Sequence, residues 1–542
     1  MSYGQTEVNQ LPFSFGKKSI SQSVDVQVMP RTDNEKLMSE DAQRTDKSLP
    51  ARVGIGFNVG KNMTNSGRMD ITEDGGILWR AKFVSEGAFM TYLVFDRFNI
   101  PEEGKLFIYS PDHEQVFGPY TNKDVQTVGK LVTDDILGDE IVVEYYEPAN
   151  ASFKGDFQIA ACMHIYKDFL HTRDEGKGPH GDAEGNCHID VVCPEGRPWR
   201  LQANAVVCIA ITAYVQEEGG WGMYLCSGAT VNNTRMDKTP YVLSADHCVA
   251  ATDQTHKFYF QYQTSTCGGT AGIYSRVANG GDIVARSATN TYSSSDFLLL
   301  KITGNLGAAY RDSIFFAGWD RTGAASVGVG IHHPGGDWKK ISFPQSVSTI
   351  TSGNMANKFF SVSWRTNPNK GVTEQGSSGS PLYNANGLII GTLTSGSSAC
   401  NYTYGKDNYG RMYYHWTNNN NSNATRKLQP WLDPDNTGIT KLNGMTYGGQ
   451  VITSIEDHAT EASTFEVYPN PATDGHITIQ GEFLTETALC NIYNVMGQLV
   501  MSKEITTEAT FSLNVNTLDN GVYFIEVLGS ERNYKSKLII SK

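Results

Sequence analysis

The sequence predicts a mainly β protein, and three observations carry that prediction. Short Val/Ile/Tyr/Phe-rich runs alternate with Gly/Asn/Asp/Ser turns, as in IVVEYYEP (141–148), HKFYFQYQ (256–263) and GVYFIEVLG (521–529). Long amphipathic helical patterns are nearly absent, the clearest helical signal being the short NSNATRKLQPWL (421–432). Hydrophobic residues make up 39% of the 542, and 54 glycines bring the total near the globular norm of about 45–50%, enough to bury a core. The formal net charge of −13 argues against a nucleic-acid binder and leaves no polybasic patch for an anionic membrane. No run approaches the ~18 apolar residues of a spanning helix. Residues 1–20 lack an apolar stretch, so no secretory signal is visible.

At ~100–200 residues per domain the length suggests about three domains. Two segments read as boundaries. HTRDEGKGPHGDAEGN (171–186) is rich in glycine and charge without apolar periodicity, and GMTYGGQVITSIEDHATEAST (444–464) follows the helical signal. The expected division is an N-terminal β region over 1–177, a central domain over 178–445, a linker over 446–463 and a small β domain over 464–542. No solenoid or propeller period repeats.

The central region holds the chemistry. In Gly376-Ser377-Ser378-Gly379-Ser380-Pro381 a glycine two residues before a serine permits a tight turn. Such a turn can aim two backbone N–H groups at a developing oxyanion. A serine also needs a base. His247, in Leu243-Ser244-Ala245-Asp246-His247-Cys248, ends an apolar strand beside a cysteine that can fix it. Asp296, in Ser293-Ser294-Ser295-Asp296-Phe297, stands before a second apolar strand, where an aspartate either caps a turn or orients an imidazole. Each motif alone has a bland reading. Together, in the order His, Asp, Ser, they specify much more.

At this point the chain resembles the chymotrypsin-type β-barrel proteases, and more closely the bacterial lysyl endopeptidases. The resemblance spans the central domain through CHIDVVCPEG (187–196), LCSGATVNN (225–233), SADHC (244–248), SSSDFLLLKI (293–302), HHPGGDWKKIS (332–342), GVTEQGSSGSPLYN (371–384) and KDNYGRMY (406–413). It implies a double β-barrel in which Ser378 is the nucleophile, His247 the general base and acid, and Asp296 the orienting carboxylate. The N–H groups of Gly376 and Ser378 form the oxyanion hole. No cofactor or metal is implied.

Trypsin-like enzymes place a specificity carboxylate six positions before the serine, and here that position is Val372. In lysyl endopeptidases the acid follows the serine, beside Tyr-Gly-Arg. The match is Asp407, in Lys406-Asp407-Asn408-Tyr409-Gly410-Arg411, suited to receive an ammonium at the end of an apolar slot. A Trp and a His that line this region in well-known members are missing. Thr394 and the Thr351-Ser352-Gly353 segment stand there, which leaves basic specificity expected and strict lysine preference open. His332-His333 invites a metal reading, but no second ligand pair at suitable spacing accompanies it, and a loop packed beside the active site is preferred.

Nine cysteines admit disulfides, a metal site or reactive thiols, and the odd count leaves at least one unpaired. The resemblance implies the bridges Cys187–Cys400, Cys193–Cys267 and Cys226–Cys248, leaving Cys162, Cys208 and Cys490, in an oxidising setting outside the cytoplasm. FDRFNIPEEGKLFIYSPD (95–112) and DEIVVEYYEP (139–148) resemble the pro-region of the same proteases, a β-sandwich that assists folding and restrains activity, with Lys177 as the expected self-processing point. FEVYPNP (465–471), IYNVMGQLV (492–500) and the ending KLIISK resemble the type A sorting domain of the type IX secretion system, another β-sandwich. The whole implies a secreted zymogen. Its mature monomer would hydrolyse proteins and peptides after lysine, with arginine as a further candidate, and would take no nucleic acid. Export would run through periplasm and outer membrane by the type IX machinery. The alternatives are a serine endopeptidase of other specificity and an inactive adhesion protein.

Overall fold

The computed structural model describes residues 10–542 apart from 18–19, 22, 45–48, 127–128, 171–186, 252–253, 271, 274–275, 288–293, 367–370, 418–420, 453–465, 481–487, 495–498, 506–509 and 529–532. The chain is mainly β and forms two compact units, Met1–Thr453 and Ser454–Lys542. Lys177 lies outside the described residues.

In the first unit a 12-stranded sheet runs through strands β1 (Ala51–Lys61), β2 (Met90–Asn99), β3 (Asp156–Ile165), β4 (Val206–Val215), β5 (Gly220–Val231), β6 (Tyr241–Ser244), β7 (Gln254–Phe260) and β8 (Leu298–Ile302). Among these the order is β7-β4-β5-β1-β3-β2, with β6 bridging β5 and β8. The expected N-terminal region and the central region are therefore joined by main-chain pairing of β1 on β5. A six-stranded sheet that includes Ile77–Val84, Lys105–Tyr109 and Glu140–Glu147 faces the β2–β3 part of the large sheet. Alternation along the strands explains the facing: Trp79, Ala81 and Phe83 from one sheet and Leu93, Phe95 and Phe157 from the other share a core. The nine-residue helix Asn34–Ala42 starts where the Asp33 side chain accepts from the Lys36 N–H.

A 10-stranded sheet follows, built from β9 (Val329–His332), β10 (Lys340–Ser342), β11 (Phe359–Trp364), β12 (Pro381–Tyr383), β13 (Ile389–Gly396), β14 (Lys406–Arg411) and shorter pieces. Its apolar faces bury two cores. Val329, Ile331, Tyr383 and Ile389 meet Ala229, Val231, Leu243 and Leu299 of the large sheet, while Phe360, Val362, Leu382, Leu393 and Tyr409 close on one another. The helical signal at 421–432 resolves into a 3-10 turn at Ala424–Arg426 and a short helix at Gln429–Leu432, which packs Leu428 and Leu432 into the first of these cores.

The second unit holds a three-stranded and a four-stranded sheet around Val467, Ile477, Ile479, Ile492, Leu513, Ile525 and Leu538.

Candidate active site

His247 sits on a 3-10 turn, Asp246–Cys248, at the end of β6. Its Nδ1 lies 2.7 Å from Asp296 Oδ2, and its backbone N–H donates to Asp296 Oδ1 at 2.9 Å, so one carboxylate holds both the ring and its peptide. The Asp246 N–H adds a 3.2 Å bond to the Asp296 carbonyl. The 0% exposed Asp296 carboxylate is held at a backbone φ of +58°, a left-handed conformation that an L-residue keeps only when its surroundings fix it. Two neighbours do so. Ser295 Oγ lies 2.7 Å from His415 Nδ1, and His415 Nε2 lies 3.1 Å from Thr392 Oγ1. Burial pushes His415 down to about 3, so it is a neutral strut. Arg286 Nε donates to Asp246 at 2.5 Å and anchors the turn from outside.

The serine turn is bound tightly to both sheets. Gly376 has φ +89°, and a Cβ there would stand 2.7 Å from Gly336 N and 2.9 Å from the His333 carbonyl. Gly379 has φ +78°, and a Cβ would stand 2.1 Å from Ser244 Oγ. Both positions require glycine on two counts, space and handedness. Ser227 on β5 bridges the halves: its N–H donates to the Ser378 carbonyl at 2.8 Å and its Oγ to the Gly376 carbonyl at 3.0 Å. Ser377 Oγ lies 2.8 Å from His332 Nδ1, while His332 Nε2 lies 2.9 Å from Ser342 Oγ. His333 Nδ1 lies 2.9 Å from the Asp337 carbonyl oxygen and its ring stacks on Tyr262. Both imidazoles are fully buried supports of this turn.

All three expected bridges are present. Cys226–Cys248 ties β5 to the residue after His247, and the Cys248 sulfur lies 4.0 Å from the Ser378 carbonyl oxygen. The structure thus brings His247, Asp296 and the Gly376–Ser378 turn together. Cys187–Cys400 carries a neighbour, His188, whose Nε2 lies 3.1 Å from Glu374 Oε2, and the Cys400 N–H donates to the other Glu374 oxygen at 3.1 Å. Cys162, Cys208 and Cys490 are unpaired and buried, and burial raises all three thiols.

Asp407, on β14, is fully buried. Its carboxylate accepts from Trp364 Nε1 at 2.6 Å, Thr373 Oγ1 at 2.6 Å, Ser398 Oγ at 2.5 Å and the Ser398 N–H at 3.2 Å. Thr373 stands five residues before Ser378, so the carboxylate is tied to the segment entering the serine turn. Val372 is buried in the apolar core, Thr394 is buried, and Thr351–Gly353 is exposed. Sequence reasoning gave no role to Ser227, which lies inside LCSGATVNN (225–233), and missed His415, Trp364 and Ser398; Trp364 and Ser398 carry no motif of their own, and His415 lies 119 positions from the aspartate it supports.

Residues 181–410 match the family model described as lysyl endopeptidase, C-terminal domain. The central region is similar to the lysyl endopeptidases over these residues. A second model, the secretion system C-terminal sorting domain, matches residues 466–541. A lysyl endopeptidase of Pseudomonas aeruginosa is 31% identical over 295 residues, 52% of this chain and 60% of that protein. The chain thus spans about three-fifths of that relative's length. An ulvan lyase, NLR42, of Nonlabens ulvanivorans is 27% identical over 135 residues, 25% of this chain and 22% of the lyase. Among solved structures, a biofilm associated protein BSP domain aligns with 12% identity over 93% of this chain and 70% of its own, at a TM-score of 0.13. The lysyl endopeptidase-like region is followed by a sorting tail, and the tail assigns the chain to the cell surface or the extracellular medium through type IX secretion.

Proposed function

We propose that this chain is the precursor of a secreted serine endopeptidase that cuts on the carboxyl side of lysine, with arginine as the second candidate. The observation that carries the reading is the carboxylate of Asp296 on Nδ1 of His247, beside the Gly376–Ser378 turn. In the reaction, Ser378 Oγ attacks the scissile carbonyl while His247 Nε2 takes its proton. The imidazolium then protonates the leaving amine. Asp296 keeps the proton of the ring on Nδ1 and stabilises the cation that forms. The N–H groups of Gly376 and Ser378 receive the oxyanion. Water, activated by His247, releases the acyl group, and no cofactor enters.

The double β-barrel reading assigns one barrel to β4–β8 and the other to β9–β14, with the site between them. It is flanked by a β-sandwich pro-region over 1–177 and a β-sandwich sorting domain over 464–542, joined to the 178–445 protease by the 446–463 linker. Self-processing at Lys177 would yield a monomeric enzyme. Asp407 would receive the substrate ammonium, and the neutral donors Trp364, Thr373 and Ser398 support it by fixing the carboxylate without cancelling its charge. Thr394, where related enzymes carry an aromatic wall, favours a second reading in which the same machinery accepts a broader set of basic side chains.

Digestion of a peptide library by processed protein tests the proposal. Cleavage after lysine that vanishes in Ser378→Ala is expected. Cleavage surviving in that variant rejects the mechanism, and cleavage after non-basic residues rejects the role of Asp407.

A further inference from the structure

The Cys187–Cys400 bridge differs from the other two in what stands beside it. An imidazole nitrogen of His188 and the two bridge sulfurs lie within 4.8 Å of one another, and among the described residues no such group surrounds either of the other bridges. One side chain holds both flanks of the cluster. The Glu374 carboxylate meets His188 Nε2 at 3.1 Å through one oxygen and accepts the Cys400 N–H at 3.1 Å through the other. A carboxylate only accepts, so in the neutral ring the proton sits on Nε2 and Nδ1 keeps its lone pair. That Nδ1 is buried and has no hydrogen-bond partner among the described residues. Leaving such an atom unpaired costs about 1–3 kcal/mol, and a disulfide offers it no proton to accept.

Once the bridge is open, the same side chains become a donor set. Two thiolates and an imidazole are ligands that tetrahedral Zn2+ favours. An imidazole whose far N–H is held by a carboxylate is the arrangement that orients a ring toward a metal. The backbone already suits it: the two Cα atoms are 5.4 Å apart, and sulfurs on one tetrahedral zinc stand only ~3.8 Å apart. A small thiol can reach this bridge. Cys400 is half-buried beside the exposed Asn401 and Tyr402, whereas Cys226 and Cys248 are 0% and 1% exposed. The cluster also adjoins the serine turn, where the Glu374 N–H donates to Ser377 Oγ at 3.2 Å and the Ser377 N–H to the Glu374 carbonyl at 3.0 Å.

We propose that Cys187, Cys400 and His188 form a Zn2+ site that exists only in the dithiol form of this bridge. His188 binds through Nδ1, Glu374 holds its Nε2–H, and the fourth position is open to water. Two molecules of a small thiol open the bridge, giving it two electrons and two protons and leaving as their own disulfide. Zinc then displaces the two thiol protons and forms two Zn–S bonds. The metal takes over the tie between residue 187 and the loop that carries Cys400, so the fold keeps this cross-link in a reducing medium. The inference is independent of the serine endopeptidase reading.

The test uses the full chain carrying Ser378→Ala, which removes any self-cutting. It is reduced with a phosphine, freed of reductant without oxygen, and titrated with Co2+, a coloured substitute for zinc. The reduced protein is expected to bind one Co2+ with thiolate-to-cobalt charge-transfer and tetrahedral ligand-field bands, which added Zn2+ bleaches. The oxidised protein should show neither. Replacing Cys187 and Cys400 together with serine should abolish the bands, His188→Gln should weaken binding at least tenfold, and Glu374→Gln by about tenfold to a hundredfold. A second measurement needs no ligand variant. Iodoacetamide labelling of the reduced protein, mapped by mass spectrometry, should slow at least tenfold at Cys187 and Cys400 when Zn2+ is present. Absence of the bands in the reduced protein, their persistence in the double-serine variant, or labelling of Cys187 and Cys400 that ignores zinc overturns the proposal.

Discussion

Asp296 shows how much a single side chain is asked to do. Its two oxygens bind the ring and the peptide of His247, and its backbone adopts the left-handed conformation that aims them. Asp296→Asn keeps the shape and presents the wrong hydrogen-bonding face, so kcat on a lysyl peptide should fall by about 10^4-fold with little change in KM, the loss that misorienting a triad imidazole brings. Asp407→Asn should act the other way. It should raise KM for lysyl substrates by at least tenfold, as expected for losing a buried charge-assisted contact, while acylation by a small fluorophosphonate stays within a factor of about two. Competition between lysyl and neutral peptides checks it. His247, Asp296 and the Gly376–Ser378 turn stand in local motifs of the sequence, Asp407 is named there only through a resemblance, and the structure brings the first three together. Their supports were not legible there. Trp364, Thr373 and Ser398 reach Asp407 from three separate segments, and nothing local marks a hydrogen-bond donor as belonging to a carboxylate 43 positions away, as for Trp364.

Among the elements, the β5–β6 junction decides whether the site is preassembled. The Cys226–Cys248 bridge closes a loop of 22 residues between β5 and the His247 turn. Replacing both cysteines with serine should lower stability by about 3 kcal/mol in the chain-entropy model, measured by denaturant unfolding. The same variant should slow acylation, because the turn carrying His247 loses its tie to β5. Gly379→Ala should impair folding outright: a Cβ would meet Ser244 Oγ at 2.1 Å in a left-handed conformation. The strands themselves were readable from alternation, whereas the expected boundary at 171–186 lies outside the described residues. The pairing of β1 with β5 was not readable, since register between strands about 170 residues apart leaves no periodic signal in either, and a strand that serves two regions reads like one that serves its own.

For the molecule as a whole, acid should be the weak direction. Burial depresses His256 to about 4, His415 to about 3 and His333 well below the ordinary value of 6.5. Each is neutral in the fold and gains a proton more readily when unfolded. The stability tied to their neutrality is therefore complete above about pH 6.5 and is lost as pH falls toward the depressed values. The melting temperature should drop between about pH 6.5 and pH 4, and His415→Gln should flatten part of that slope. Removing residues 454–542 should leave the melting temperature and peptidase activity of the remainder unchanged while abolishing export, because the two units have separate cores. The three unpaired cysteines have a consequence for the route to this state. A chain secreted into an oxidising space exposes nine thiols while unfolded, and even the six that pair correctly allow 15 arrangements. Cys162, Cys208 and Cys490 escape mispairing only when strands have already closed over them. Collapse ahead of oxidation favours the correct pairing, and a mutation that slows folding is expected to raise the fraction of scrambled, cross-linked protein seen on a non-reducing gel.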